Sequence, residues 1–205
     1  RVMMIEAGGQ EIPEDVMLKA IRFGFDIHTQ TVRAMYKNLD KLDNVSKERI
    51  TQELEKILTC DKPIRHNFLR FADIIVKILP SIAPCVGFEQ NNKYHKHDVY
   101  EHCLAVVDSC ETNDFIIKLA ALLHDIGKPE AYVTDEQGNG HFYGHPENSF
   151  EIVKDIVVSD LRLTTVQKTK LLDFVLYHDM MVIASKKSAR RLLNKFGEEF
   201  LRDWL

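Results

Sequence analysis

The 205-residue sequence contains no apolar run approaching the roughly 20 residues that a membrane-spanning helix requires. It also lacks the charged-then-apolar opening of a secretory signal, and its first residue is Arg1 rather than Met. We therefore read it as a piece of a longer chain. Its four cysteines show no C-x-x-C spacing. Cys103 and Cys110 fall seven residues apart on one expected helix, a rise of about 10 Å and too far for a disulfide. Reduced thiols and a cytoplasmic location are the simplest reading. There is no internal repeat, heptad array or low-complexity tract, and no H-E-x-x-H helix of the zinc-protease type. An excess of either charge is missing too: the net charge is −4, which excludes binding nucleic acid with the whole surface. The halves differ, with fifteen basic against thirteen acidic residues up to 97 and twelve against eighteen after it. An RNA site would have to be a local patch.

What is present is ordinary for a globular chain, with 45% apolar and 28% charged residues, so disorder is not the default. The periodicity is helical almost throughout. Residues 14–36 give two helical patterns separated near Gly24, with Thr29 or Thr31 as a cap. Ser46 caps an amphipathic helix over 44–58 that repeats Ile50, Leu54, Ile57 and Leu58. "HNFLRFADIIVKILP" (66–80) predicts one helix stopped by Pro80. The looser stretch 81–97, with Pro84 and Gly87, is where the sequence divides, giving segments 1–90 and 91–205. Asp98 with Glu101 and Thr164 with Gln167 read as capping boxes. "DFIIKLAALLHDIG" (114–127) predicts a buried central helix stopped by Gly127, residues 131–146 a loop or short hairpin, and 186–205 a last helix or two. The fold class is all-α.

The central helix poses the functional question. His124 and Asp125 interrupt its most apolar run, where unpaired polar groups cost on the order of 2–7 kcal/mol. Seven of the nine histidines lie between 95 and 178. Three expected helices each bring a candidate to an apolar side: His102, His124 with Asp125, and His178 with Asp179. His145 comes from the loop between. Imidazoles with carboxylates are the ligand set of Zn, Fe, Mn, Ni or Co sites, and the thiols are wrongly spaced for a structural Cys site. His95, His97 and His141 read as solvated or supporting residues. Lys128, one residue past Gly127, is placed to meet a phosphate as a point charge and, compatibly, to offset the dipole at the end of the helix.

"HDIGKP", with "EHC" upstream and "YGHPENS" downstream, resembles the HD superfamily of metal-dependent phosphohydrolases. The resemblance implies His102, His124 and Asp125 as ligands of a first ion, with His145 and His178 extending the site to a second. That family closes its ligand set with an Asp, which is either Asp179 or a residue beyond Leu205. It implies a divalent transition metal (Ni, Mn, Fe, Co or Zn, one or two ions) or Mg, catalysis by His124, Asp125 and Lys128, and hydrolysis of phosphoesters by activated water.

The first half, "KAIRFGFDIHTQTVRAMYKNLDKLDNVSKERITQELEKIL", resembles the helical segment that follows the catalytic head of bacterial tRNA nucleotidyltransferases and poly(A) polymerases. Both resemblances together imply a helical neck/body followed by an HD bundle, with a nucleotidyltransferase head as the missing N-terminal partner. Nucleotide addition in that family needs a Gly-Ser turn and an Asp-x-Asp pair, which this sequence lacks, so no nucleotidyltransferase activity is expected of it alone. By the same resemblance Arg22 and Arg49 support a nucleotide or RNA end, the alternative being solvated or helix-pairing arginines. The run "KKSARRLLNK" adds Lys186, Lys187, Arg190 and Arg191 as a patch for RNA backbone, or simply a solvated helix face. The expected substrate is a nucleotide or RNA-end phosphoester. The rival expectation is a non-catalytic module that positions tRNA and keeps a structural or vestigial metal site.

Overall fold

The computed structural model describes residues 29–91 and 97–204. Arg22, the helical pattern around Gly24 and His95 lie outside the described residues. The chain forms two compact units, residues 1–44 and 45–205. In the first, residues 29–37 are helical, Asn38 donates its side-chain amide to the Ala34 carbonyl at 2.7 Å, and a 3₁₀ turn follows over Leu39–Asn44. Packing thus divides the chain at 44/45, with residues 45–90 sharing the core of the second unit.

The second unit is helical with one small hairpin, as an all-α reading requires. Helix α1 (Lys47–Leu58) starts at Ser46, whose hydroxyl accepts from Arg49 N, and buries Leu54 and Leu58. Buried Thr51 donates to Lys47 O and accepts from Arg162 N at 2.9 Å, tying α1 to the loop far along the chain. Where one helix was expected over 66–80 there are two, α2 (Arg65–Arg70) and α3 (Ala72–Ile78), separated at Phe71 with φ −117° and ψ 35°. The cause is specific. The Phe68 carbonyl, which would accept from Ala72 N in an unbroken helix, accepts from the Tyr100 hydroxyl instead. The start of α2 has no cap of its own; Asp108, from a later helix, accepts from the N–H groups of Ile64 and Arg65 at 2.8 and 3.2 Å.

Helix α4 (Val99–Ser109) is capped by Asp98, which accepts from Glu101 N at 2.6 Å. The reciprocal half of the expected box is missing, because Glu101 turns outward to Arg65 and His97. Helix α5 (Phe115–Leu123) is capped by Asp114 and packs against α1, α4 and α8 (Thr165–Tyr177), with Leu119 and Leu123 fully buried. Thr164 and Gln167 form the complete capping box of α8. Between α5 and α8 come the short α6 (Lys128–Ala131), the antiparallel hairpin β1 (Tyr132–Thr134) and β2 (Gly140–Phe142), and α7 (His145–Ser159). The last helix, α9 (Lys186–Trp204), kinks at Gly197, whose φ of 78° favours glycine. Phe200 stacks there on Phe174 of α8 and on Phe196, which meets Tyr177 of α8 edge to face.

Helix α5 ends at Leu123, four residues before the expected stop. Residues 124–127 form a tighter turn, with Ile126 N bonding Leu123 O and Lys128 N bonding Asp125 O, each three residues back. Gly127 is required by closeness rather than by its φ. A Cβ there would lie 2.4 Å from Ser149 N and 2.8 Å from the Asn148 backbone. Gly127 N donates to the buried Ser149 hydroxyl at 2.9 Å, which fixes the turn against α7.

Candidate metal centre

That turn presents His124 and Asp125 together to one point. Helix α4 brings His102, the start of α7 brings His145, and the end of α8 brings His178. The Asp125 carboxylate, 2% exposed, is the hub. Its Oδ2 lies 3.4 Å from His102 Nε2, 3.1 Å from His124 Nε2 and 2.7 Å from Lys128 Nζ. Its Oδ1 lies 3.2 Å from His145 Nε2 and 3.4 Å from His178 Nε2. Two ligand groups result: His102, His124 and Asp125, and Asp125, His145 and His178, each with its atoms within 4.8 Å of one another.

The main chain sets the tautomers. His124 Nδ1 is 2.9 Å from Ala121 O, His145 Nδ1 is 2.9 Å from Phe142 O, and His178 Nδ1 is 2.7 Å from Val175 O. A neutral imidazole has one N–H, and a carbonyl accepts only, so Nδ1 carries the proton and Nε2 offers its lone pair. His145 and His178 Nε2 then face each other at 3.1 Å, both beside a carboxylate oxygen. Acceptors assembled this way repel unless a cation, proton or metal, lies among them. The donor set fits a divalent ion.

Without an ion the charges lean on each other. When protons rather than a metal ion sit on Nε2, burial still pushes the Asp125 carboxyl up, but charged His124 and the Nε2–H bonds that His124, His145 and His178 then donate outweigh it and hold the carboxyl well below the usual range. Burial disfavours a proton on His124; Cys103 and Asp125 beside it outweigh this and raise its affinity well above an ordinary imidazole's.

Lys128 follows the tight turn that ends α5. It is buried at the start of α6, donating to Asp125 and, at 3.0 Å, to Gln90 Oε1, with the Phe142 ring 5.3 Å away. Gln90 gave no signal in the sequence: it comes from the loop before α4, brought close because Gly140 N bonds Asn91 O and a Cβ on Gly140 would sit 2.4 Å from Gln90 O. The cluster floors an open pocket of about 750 Å³. Asp179 is exposed on its rim and belongs to neither ligand group. His141, half-buried, also lines it and bonds Asp135. His97 instead pairs with Glu101 at 3.0 Å. Arg49 on α1 and Lys186, Lys187, Arg190 and Arg191 on α9 are exposed and do not line the pocket.

The family described as "Probable RNA and SrmB- binding site of polymerase A" matches residues 24–85. A multifunctional CCA protein of Shewanella frigidimarina is 28% identical over 139 residues, covering 65% of this chain and 33% of that protein. An A-adding tRNA nucleotidyltransferase of Deinococcus radiodurans is 27% identical over 164 residues, covering 77% and 37%. A multifunctional CCA protein of Aromatoleum aromaticum is 32% identical over 137 residues, covering 63% and 33%. The chain thus spans about a third of the length of these relatives. No solved structure matches. The HD domain matches residues 68–179, more than half of the chain and every residue of the Asp125 cluster, and the chain belongs to the HD-domain family.

Proposed function

We propose that this chain is a metal-dependent phosphohydrolase acting on nucleotide or RNA-end phosphoesters, within a tRNA nucleotidyltransferase- or poly(A) polymerase-like protein whose nucleotidyltransferase head lies outside these 205 residues. The array of imidazole lone pairs around Asp125 carries the reading. His102, His124 and Asp125 would hold one ion, and Asp125, His145 and His178 a second; Asp179, exposed on the rim, would have to swing inward to add a further carboxylate. With so many imidazoles the set suits Ni, Mn, Fe, Co or Zn better than Mg. A divalent ion there supplies Lewis acidity and a nucleophile at neutral pH. Lys128 has three N–H groups; two are taken by Asp125 and Gln90, leaving one for a phosphoryl oxygen. Segments 1–90 and 91–205 are, in this reading, the RNA-associated neck and the hydrolase. Among the described residues no helix is long and apolar enough to cross a membrane. A cytoplasmic location, in keeping with four free thiols, is part of the proposal.

The test is hydrolysis of bis(p-nitrophenyl) phosphate and of nucleoside 2′,3′-cyclic phosphates by the metal-loaded chain. Turnover abolished by His124→Ala supports the proposal. No turnover of either substrate with any of the five transition metals refutes it.

The match over residues 24–85 favours a second reading, a module that positions tRNA, with Arg22, Arg49, Lys186, Lys187, Arg190 and Arg191 on RNA phosphates. It predicts salt-sensitive tRNA binding that His124→Ala leaves unchanged and that loss of the four α9 charges weakens.

A further inference from the structure

Two residues before His145 stands Tyr143, 75% exposed on the wall of the same pocket. Its ring is nearly parallel to that of His141, with 5° between planes and 5.4 Å between centroids. At that separation the rings are laterally offset, and a face of the phenol stays uncovered. His141 is itself fixed. Its Nε2 bonds Asp135 Oδ2 at 3.1 Å, and Asp135 is held in turn by the Asn139 side chain and by the N–H groups of Asn139 and Gln137. Those bonds, from Asn139 first and then His141, keep the Asp135 carboxyl far below its usual range. The alternation of β2 sends Phe142 the other way, onto Tyr132 and Lys128. Gly144, with φ 74°, then turns the chain into α7 and aims His145 at Asp125. One short stretch therefore carries an aromatic platform on a braced hairpin and a candidate metal ligand.

We infer that Tyr143, backed by His141, is the stacking platform for a nucleobase whose phosphate lies over the Asp125 cluster. This rests on the phosphohydrolase reading and deepens it: it names the side chain that holds the base of the nucleotide or RNA-end phosphoester. Every base has a π-face, so the platform selects for a base without choosing among bases. A pocket of about 750 Å³ has room for a whole nucleotide.

The experiment uses the full chain loaded with Zn²⁺ and 2-aminopurine riboside monophosphate, whose fluorescence is quenched on stacking. Inorganic phosphate binding, followed by calorimetry, is the control. Wild type and Tyr143→Phe quench the probe. Tyr143→Ala abolishes quenching and binds the nucleotide about tenfold more weakly, while its phosphate affinity stays that of wild type. Wild-type quenching and affinity in Tyr143→Ala would overturn the platform and leave the hydrolase reading standing. Loss of phosphate binding in that variant would also overturn it, since Tyr143 would then prop the site. If wild type binds neither probe nor phosphate, the hydrolase reading fails and the platform with it. The same fluorophore at the end of a short RNA tells the two sources apart, according to which ligand binds more tightly in a Tyr143-dependent way.

Discussion

His145 and His178 point their Nε2 atoms at each other across 3.1 Å, while each donates its Nδ1–H to a carbonyl three residues back in its own chain. Neither ring can turn to relieve the contact without breaking that bond. A cation held beside these two lone pairs would relieve their repulsion, and the account of the site follows from it.

Removing one ring tests this. His178→Ala takes one donor from the second ligand group and leaves His102, His124 and Asp125 in place. Metal affinity, measured by competition with a chelating dye, falls by at least about 10–100-fold, the loss typical even of supporting residues. If two ions bind in wild type, one is lost first.

Lys128→Met keeps the stem and removes the charge buried against Asp125 at 2.7 Å. Breaking a buried pair costs about 3–5 kcal/mol, with the low end expected here because four histidines remain beside the carboxylate. Urea unfolding of the metal-free variant measures it. Saturating metal restores much of the difference, because the ion takes over the charge that Lys128 balanced.

Gly127→Ala forces a Cβ to 2.4 Å from Ser149 N. The neighbours are backbone of α7, so the turn has to move. Overpacking of this kind costs about 1–3 kcal/mol, read as a lower unfolding midpoint. His124 and Asp125 ride on the same turn, so metal content falls with it, which a purely structural glycine remote from the site would not produce.

The clamp of Lys170 on Asp114 and Asp203, at 3.0 and 2.8 Å, sets a pH dependence away from the metal. For Asp114 burial acts upward, but Lys170 and the N–H groups of Ile117 and Ile116 prevail, so its carboxyl titrates below 3.8. A depressed acid contributes stability above its unfolded value and loses it as pH falls through the folded one. For Lys170 burial acts downward, but Asp203 and Asp114 prevail and raise it above 10.5. A raised base contributes stability below its unfolded value and loses it as pH rises through the folded one. The stability difference between wild type and Lys170→Met is therefore constant from about pH 5 to 9 and shrinks outside that range at both ends. Denaturation at a series of pH values checks it.

The helical class and the ligand cluster were legible in the sequence because they rest on periodicity and on residue types that make no sense when buried alone. His124 and Asp125 in an apolar run announced a partner. The turn that presents them was not legible: α5 stops at Leu123 because Ser149, 22 positions away from Gly127, takes up the glycine N–H. The break at Phe71 depends likewise on the Tyr100 hydroxyl, and the place of Gln90 on the close approach of Gly140. The burial of Lys128 against Asp125 was not legible for a related reason, since only the folded loops decide where a lysine after a helix comes to lie. Tyr143 gave no periodic signal at all; its meaning lies in the flat ring of His141 and the pocket beside it.

The central claim is that the Asp125 cluster holds metal, and inductively coupled plasma mass spectrometry of protein purified without added metal tests it most directly. The account predicts about one or two equivalents of a transition metal per chain in wild type and none in His124→Ala. Wild-type protein that carries no metal and takes none up on titration would contradict it.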